Sequence, residues 1–233
     1  MERKKILLII PAYNEEKNIL NTVKKIKDYD ENLDYIVIND GSTDNTLRIL
    51  QENNINHINL IENLGIGGAV QTGYKYASEN NYDIAVQFDG DGQHDVKFVK
   101  KICQPIINEQ TNMCIGTRYL DKTSSEFKST FMRRFGSKII SCIIRMCCHK
   151  KITDATSGFR AADKKLIKLF ASQYATDYPE PEAIANVLKN GYEILEVPVS
   201  MNERKEGKSS ITLFKSIDYM IKVSLAIIIR SIR

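Results

Sequence analysis

An α/β fold with a mostly parallel sheet flanked by helices is predicted by two features of the 233-residue sequence. Short β-branched runs alternate with longer amphipathic stretches, and polar Gly/Asn/Asp turns follow several of the runs. With 42% hydrophobic and 27% charged residues, 12 Gly and 5 Pro, the composition is that of an ordinary globular chain. Wholesale disorder and collagen-like repeats are excluded.

Taken in order, Ile6–Ile10 is the first strand, ended by Pro11-Ala-Tyr-Asn. Apolar residues at Ile19, Leu20, Val23 and Ile26 give Glu15–Ile26 a helical period. Tyr35–Ile38 is a second strand, and the turn Asn39–Asp44 offers Ser42 or Asp44 as N-cap of a helix to about Gln51. Strand three covers His57–Ile61, and Gly65-Ile-Gly-Gly68 opens a helix to about Glu79. Ile84–Phe88 is strand four, followed by Asp89-Gly-Asp-Gly-Gln-His94, a helix to about Ile107 and strand five at Met113–Gly116. The second half reads as a Cys-bearing helical stretch near Arg133–Cys148, a turn at Asp154–Arg160, and short helices around Lys164–Phe170 and Glu180–Lys189. A strand at Glu193–Val199 and a terminal helix at Leu213–Ile232 complete it.

Lys plus Arg number 33 against 29 Asp plus Glu, a net charge of +4 that is too weak to argue for a nucleic-acid partner. The five cysteines are odd in number, lack Cys-x-x-Cys spacing and partly lie in apolar runs, so they are expected to be buried thiols of a reducing cytoplasm. The three histidines are scattered, which disfavours zinc. No run approaches the roughly 20 apolar residues of a bilayer span, and Ile6–Ile10 is too short for a signal peptide.

In open parallel sheets ligands bind outside the carboxyl ends of strands, so the loops after strands one, two and four are expected to share one crevice. Those loops carry Pro11-Ala-Tyr-Asn-Glu-Glu16, Asp40, and the pair Asp89 and Asp91. Two adjacent carboxylates repel unless a hard cation lies between them. Mg²⁺ takes one or two carboxylates plus substrate phosphates, and Gln93 can add a neutral oxygen. Val70 stands where a G-x-G-x-x-G fingerprint needs glycine, and Gly207-Lys-Ser209 lacks the first P-loop glycine, which disfavours dinucleotide and P-loop readings.

Pro11–Glu16, Asn39–Asp44 and Asp89–His94, in that order and spacing, resemble family 2 glycosyltransferases. So do Ile115-Gly-Thr-Arg118-Tyr, Asp154–Arg160, Glu182 and Val197-Pro-Val followed by Arg204-x-x-Gly-x-Ser209. The resemblance spans about residues 5–211 and is to the branch of dolichyl-phosphate mannose synthases and bacterial polyprenyl-phosphate sugar transferases. It implies a GT-A, Rossmann-like domain over 1–211. Residues 212–233 are then expected to be an amphipathic helical extension, apolar and basic, that lies on a membrane or binds a partner. On matching positions it implies nucleotide-sugar binding by Pro11, Ala12, Tyr13, Glu15, Asp40, Gly68, Asp89, Gly90 and Asp91. A Mg²⁺ or Mn²⁺ ion would be held by Asp89, Asp91 and Gln93, and catalytic parts fall to Asp91, Arg118, Glu182 and Arg204. Contacts to an acceptor phosphate fall to Arg118, Arg133, Arg204, Lys208 and Ser209. Asn39 departs from the family pattern, where many members have another Asp, but Asp40 keeps the matching carboxylate.

The leaving nucleoside diphosphate must have its developing charge stabilised, by a cation and by side chains drawn from Arg118, Arg133, Arg134, Arg160, Arg204 and Lys208. Between Phe127 and Thr153 seven Lys or Arg residues and no acid are interleaved with apolar residues, which favours an anionic lipid surface. A core helix with a basic rim, or a dimer face, is the plainer alternative. The resulting expectation is an inverting transferase at the inner face of the cell membrane, moving a UDP- or GDP-linked sugar to polyprenyl (undecaprenyl) phosphate. A small membrane-protein partner or self-association could accompany it. A phosphate acceptor is already ionised at pH 7 and needs no base. With a hydroxyl acceptor, as in a soluble polysaccharide-synthesising relative, Glu182 or Asp154 would have to take the proton. A catalytically silent nucleotide-binding scaffold is the third possibility, distinguished by a lack of metal-dependent nucleotide binding.

Overall fold

The computed structural model describes residues 4–119, 131–201, 220 and 222–229, with the backbone alone for 131–135. The strands are β1 (Ile6–Ala12), β2 (Asp34–Asn39), β3 (His57–Asn59), β4 (Ile84–Gln87), β5 (Met113–Thr117), β6 (Arg160–Asp163) and β7 (Ile194–Pro198). They form one sheet in the order β3-β2-β1-β4-β6-β5-β7. Pairing is parallel from β3 through β4 and between β5 and β7, while β6 runs antiparallel to both β4 and β5.

Both faces of this sheet are covered, which is why β1 is apolar without alternation. Leu7 and Ile9 point to one side, where they meet α3 (Gly65–Glu79), α6 (Lys164–Ser172), α7 (Pro179–Lys189) and the inner face of α5 (Phe131–Cys148). Leu8 and Ile10 point to the other, against α1 (Ile19–Tyr29), α2 (Thr46–Glu52) and α4 (Val99–Ile107).

Four expectations need correction. Helix α1 begins at Ile19 rather than Glu15. The intervening residues are tied to the next loop instead: Asn14 N–H donates to Ser42 Oγ at 3.0 Å and Glu15 N–H to Thr46 Oγ1 at 2.9 Å. Strand β6 occupies residues expected to end a turn; Arg-Ala-Ala-Asp has no strand propensity of its own, and its conformation comes from the ladders on both sides. Ile140 and Ile144 of the stretch read as lipid-facing, and Val223 and Ile227 of the terminal helix, are buried in the core, so one face of each belongs to the fold rather than to a lipid surface. Finally, all five thiols are free, but Cys142 is exposed and Cys147 and Cys148 are half-buried, because the expected burial of Ile139–Cys148 applies to one helix face only.

Candidate active site

Strands β2, β1 and β4 are parallel neighbours, so their carboxyl ends open at one edge and bring the three polar loops together. Asp40 N–H donates to Ala12 O at 2.9 Å, and Thr22 Oγ1 on α1 donates to Gly90 O at 3.0 Å. A Cβ on Gly90 would stand 3.0 Å from Pro11 O, so the acidic loop lies directly on the end of β1. Asn14 Oδ1 accepts from Thr43 N–H at 2.8 Å and cross-ties the first two loops.

At the β2 end of these loops Asp40 is 3% exposed, and its Oδ1 accepts from Leu64 N–H at 2.8 Å at the start of α3. Burial raises its pKa, against the lowering effect of hydrogen bonds from Leu64 and Gly65. Pro11 and Ala12 are buried, Tyr13 is 48% exposed beside them and Glu15 is half-buried. Gly68 sits in the first turn of α3, where an added Cβ would strike Leu64 Cβ. Asn39 is buried, and its amide donates to Asn59 Oδ1 at 2.5 Å.

At the centre, Asp89 and Asp91 are half-exposed on a turn that Gly92 closes at φ 76°, a conformation that favours glycine. Asp91 Oδ1 accepts from Gln93 N–H at 3.0 Å, and the Gln93 side chain is half-buried. No group of three His, Cys, Asp or Glu residues capable of holding a metal occurs among the described residues. Two hard carboxylates with a neighbouring amide therefore fit a cation such as Mg²⁺ or Mn²⁺ whose shell is completed by substrate phosphates, and do not fit an all-protein metal cage.

On the far side, Arg118 leaves β5 and is forked by Asp154: Nε donates to Oδ2 and Nη2 to Oδ1, each at 2.7 Å, with Nη2 also 3.1 Å from Thr156 Oγ1. Asp154 is 0% exposed and its loop is held by Glu196 of β7, whose Oε1 accepts from Asp154 N–H at 2.9 Å. Burial opposes the charge on Arg118, but the Asp154 hydrogen bonds and charge outweigh it and raise its pKa; Asp89 contributes in the same direction. Asp154, expected as a candidate base, is thus consumed by an ion pair. Arg160 is also no free cation: it is 1% exposed, with Nε donating to Ser157 O and Nη1 to Glu180 O, each at 2.9 Å.

Glu182 is half-buried in the first turn of α7. Glu180 lies two residues earlier in the same turn, and the sequence does not set it apart. Burial raises its carboxyl pKa, Arg160 and a Gln87 hydrogen bond lower it, and the Asp89 charge reaches it. Nothing in Tyr-Pro-Glu-Pro-Glu separates the two glutamates; only the pairing of β4 with β6 puts Gln87 and Arg160 beside Glu180. The side chain of Arg133 and all of Arg204, Lys208 and Ser209 lie outside the described residues.

A mostly parallel mixed sheet flanked by helices is the architecture of GT-A glycosyltransferases. Two solved structures of glucosyl-3-phosphoglycerate synthase from Mycobacterium tuberculosis share it. One, bound to UDP, has a TM-score of 0.72 at 18% identity, covering 98% of this chain and 80% of that one. The other, bound to Mn²⁺, UDP and phosphoglyceric acid, has a TM-score of 0.71 at 19% identity, covering 98% and 78%.

The family model Glycosyl transferase family 2 matches residues 7–170, and the chain belongs to that family; it is a glycosyltransferase. It is 37% identical over 219 residues to the UDP-N-acetylglucosamine–dolichyl-phosphate N-acetylglucosaminyltransferase of Methanococcus voltae, covering 85% of this chain and 86% of that protein. To the undecaprenyl-phosphate mannosyltransferase of Micrococcus luteus it is 26% identical over 216 residues, covering 89% and 88%.

Proposed function

We propose that the protein moves a sugar from a UDP- or GDP-linked donor to a polyprenyl phosphate, with inversion, at a membrane surface. The observation that carries the acceptor assignment is the Arg118–Asp154 fork. It fixes a guanidinium at the end of β5 and engages Asp154, one of the two alternative bases for a hydroxyl acceptor, leaving Glu182 as the other. A phosphate monoester is already ionised and asks only for cations. The names of the Methanococcus and Micrococcus relatives support the same acceptor class.

In this reading Asp40 and the Pro11–Glu15 loop receive the nucleoside, with Gly68 on the helix beside it. Asp89, Asp91 and Gln93 hold Mg²⁺ or Mn²⁺ on the diphosphate, where the ion would neutralise the departing nucleotide. Arg118 orients the acceptor phosphate together with Arg133, Arg204, Lys208 and Ser209. Glu180, with its raised pKa near Asp89, and Glu182 are the groups that favour the competing reading of a hydroxyl acceptor.

The deciding experiment incubates the protein with labelled UDP-GlcNAc, UDP-Glc or GDP-Man, Mn²⁺ or Mg²⁺, and undecaprenyl phosphate, dolichyl phosphate or an oligosaccharide. Label that partitions into organic solvent and is released by mild acid is the expected result. Transfer to the oligosaccharide alone would overturn the assignment.

No helix among the described residues is long and apolar enough to cross a membrane. Membrane contact is assigned instead to the outer face of α5, with Lys138, Ile139, Arg145 and Met146, and to Leu225 and Ile229 of the helical residues 222–229.

A further inference from the structure

His94 closes the acidic turn as a buried imidazole, 4% exposed. Its Nδ1 lies 2.9 Å from the backbone nitrogen of Asp89 and accepts that N–H, which places the ring proton on Nε2. Nε2 in turn stands 3.4 Å from Asp89 Oδ2. One ring therefore addresses both the main chain and the carboxylate of the same residue. The ring plane is itself fixed: it stacks on Phe159 at 4.7 Å and 20°, and meets the edge of Phe88 at 5.5 Å. The main chain of His94 also bridges to Met201, where the chain leaves β7.

A histidine kept for packing would have no need of a ring nitrogen aimed at this amide. The turn has reason to need it. Gly90 and Gly92 leave its backbone soft, and the two carboxylates it displays repel each other unless a cation intervenes.

We propose that His94 is a positioning residue that fixes the direction in which Asp89 presents its carboxylate to a divalent cation and the donor diphosphate, chiefly through the Nδ1 bond. The inference rests on the assignment of Asp89 and Asp91 as the cation pair. Groups behind metal ligands commonly change metal affinity about 10–100-fold when removed. Two substitutions separate the two ring nitrogens. In His94→Asn the amide oxygen reaches the place of Nδ1 and keeps the acceptor for Asp89 N–H; in His94→Gln the amide reaches the place of Nε2 and leaves that N–H without its partner.

Calorimetry with UDP and with GDP, each in Mn²⁺ and in EDTA, supplies a readout independent of turnover. His94→Gln is expected to weaken Mn²⁺-dependent binding about 10-fold or more, with binding in EDTA changed less than about 3-fold, and His94→Asn to stay within about 3-fold of wild type in both. Equal losses in the two variants, an unaffected His94→Gln, or a parallel fall in EDTA would each overturn the proposal. Should His94→Gln fail to fold, His94→Asn alone decides, and a loss above about 10-fold in Mn²⁺ refutes it. A wild type that binds neither nucleotide in a Mn²⁺-dependent way would sink the cation-pair assignment and this inference with it, whereas Mn²⁺-dependent wild type with insensitive variants sinks this inference alone.

Discussion

Two of Arg118's donors are committed to Asp154 at 2.7 Å each, and Asp154 is 0% exposed. Breaking such a pair by removing one charge strands the other, at a cost of about 3–5 kcal/mol. Asp154→Asn is therefore expected to lower unfolding stability in urea by about 3 kcal/mol, and the double variant with Arg118→Leu to lose less than the sum of the two single changes. Asp40 behaves in the opposite sense. Its folded-state pKa is raised by burial, so its favourable contribution is complete at acid pH and is lost as pH rises through the folded value. Asp40→Asn should accordingly melt higher than wild type at pH 7, with the gap closing below about pH 4, while nucleotide affinity falls. Equal melting temperatures at both pH values would show that burial of this carboxylate carries no cost. At this scale the positions of Asp40, Asp89 and Asp91 just past the ends of β2 and β4 were legible in the sequence, because strand ends and acidic turns are local. The part played by Asp154 was not, because its partners Arg118 and Glu196 come from strands about 36 and 42 residues away, and only pairing of β5 with β7 brings them together.

Helix α3 shows how an element can be read correctly while its packing stays hidden. The sequence predicts it from Gly65 to about Glu79, as observed, yet its glycines look like weak points in a helix. A Cβ on Gly73 would lie 2.2 Å from Ile9 Cγ2, so the helix rides directly on β1 because that glycine lacks a side chain. Alanine would gain about 1 kcal/mol of helix propensity but overpack the contact by about 1–3 kcal/mol. Gly73→Ala is expected to destabilise by about 1 kcal/mol in chemical denaturation; a stabilised variant would show that the layer can spread at no cost. Strand β6 failed to appear in the sequence for a related reason. Ala161 and Ala162 carry no strand signal, and only their position between β4 and β5 makes them extended.

For the whole molecule, the basic and apolar stretch around α5 divides by depth. Ile140 and Ile144 complete the core, while Met146 is 73% exposed and Leu225 and Ile229 are each 53% exposed. Met146→Glu is predicted to reduce cosedimentation with vesicles rich in anionic lipid by several-fold and to leave soluble nucleotide binding unchanged. Undiminished vesicle binding, or a concentration-dependent dimer that the substitution dissolves, would reassign this face.

The sheet's order also imposes a timetable. Strands β1 to β4 join hands as they emerge, but among the described residues β5 has ladders only with β6 and β7, and β6 arrives 43 residues after the end of β5. A nascent chain cut near residue 150 should resist protease through β4 and be clipped around Met113–Thr117, so the half proposed to seat the nucleotide would be finished before the half proposed to meet the acceptor exists.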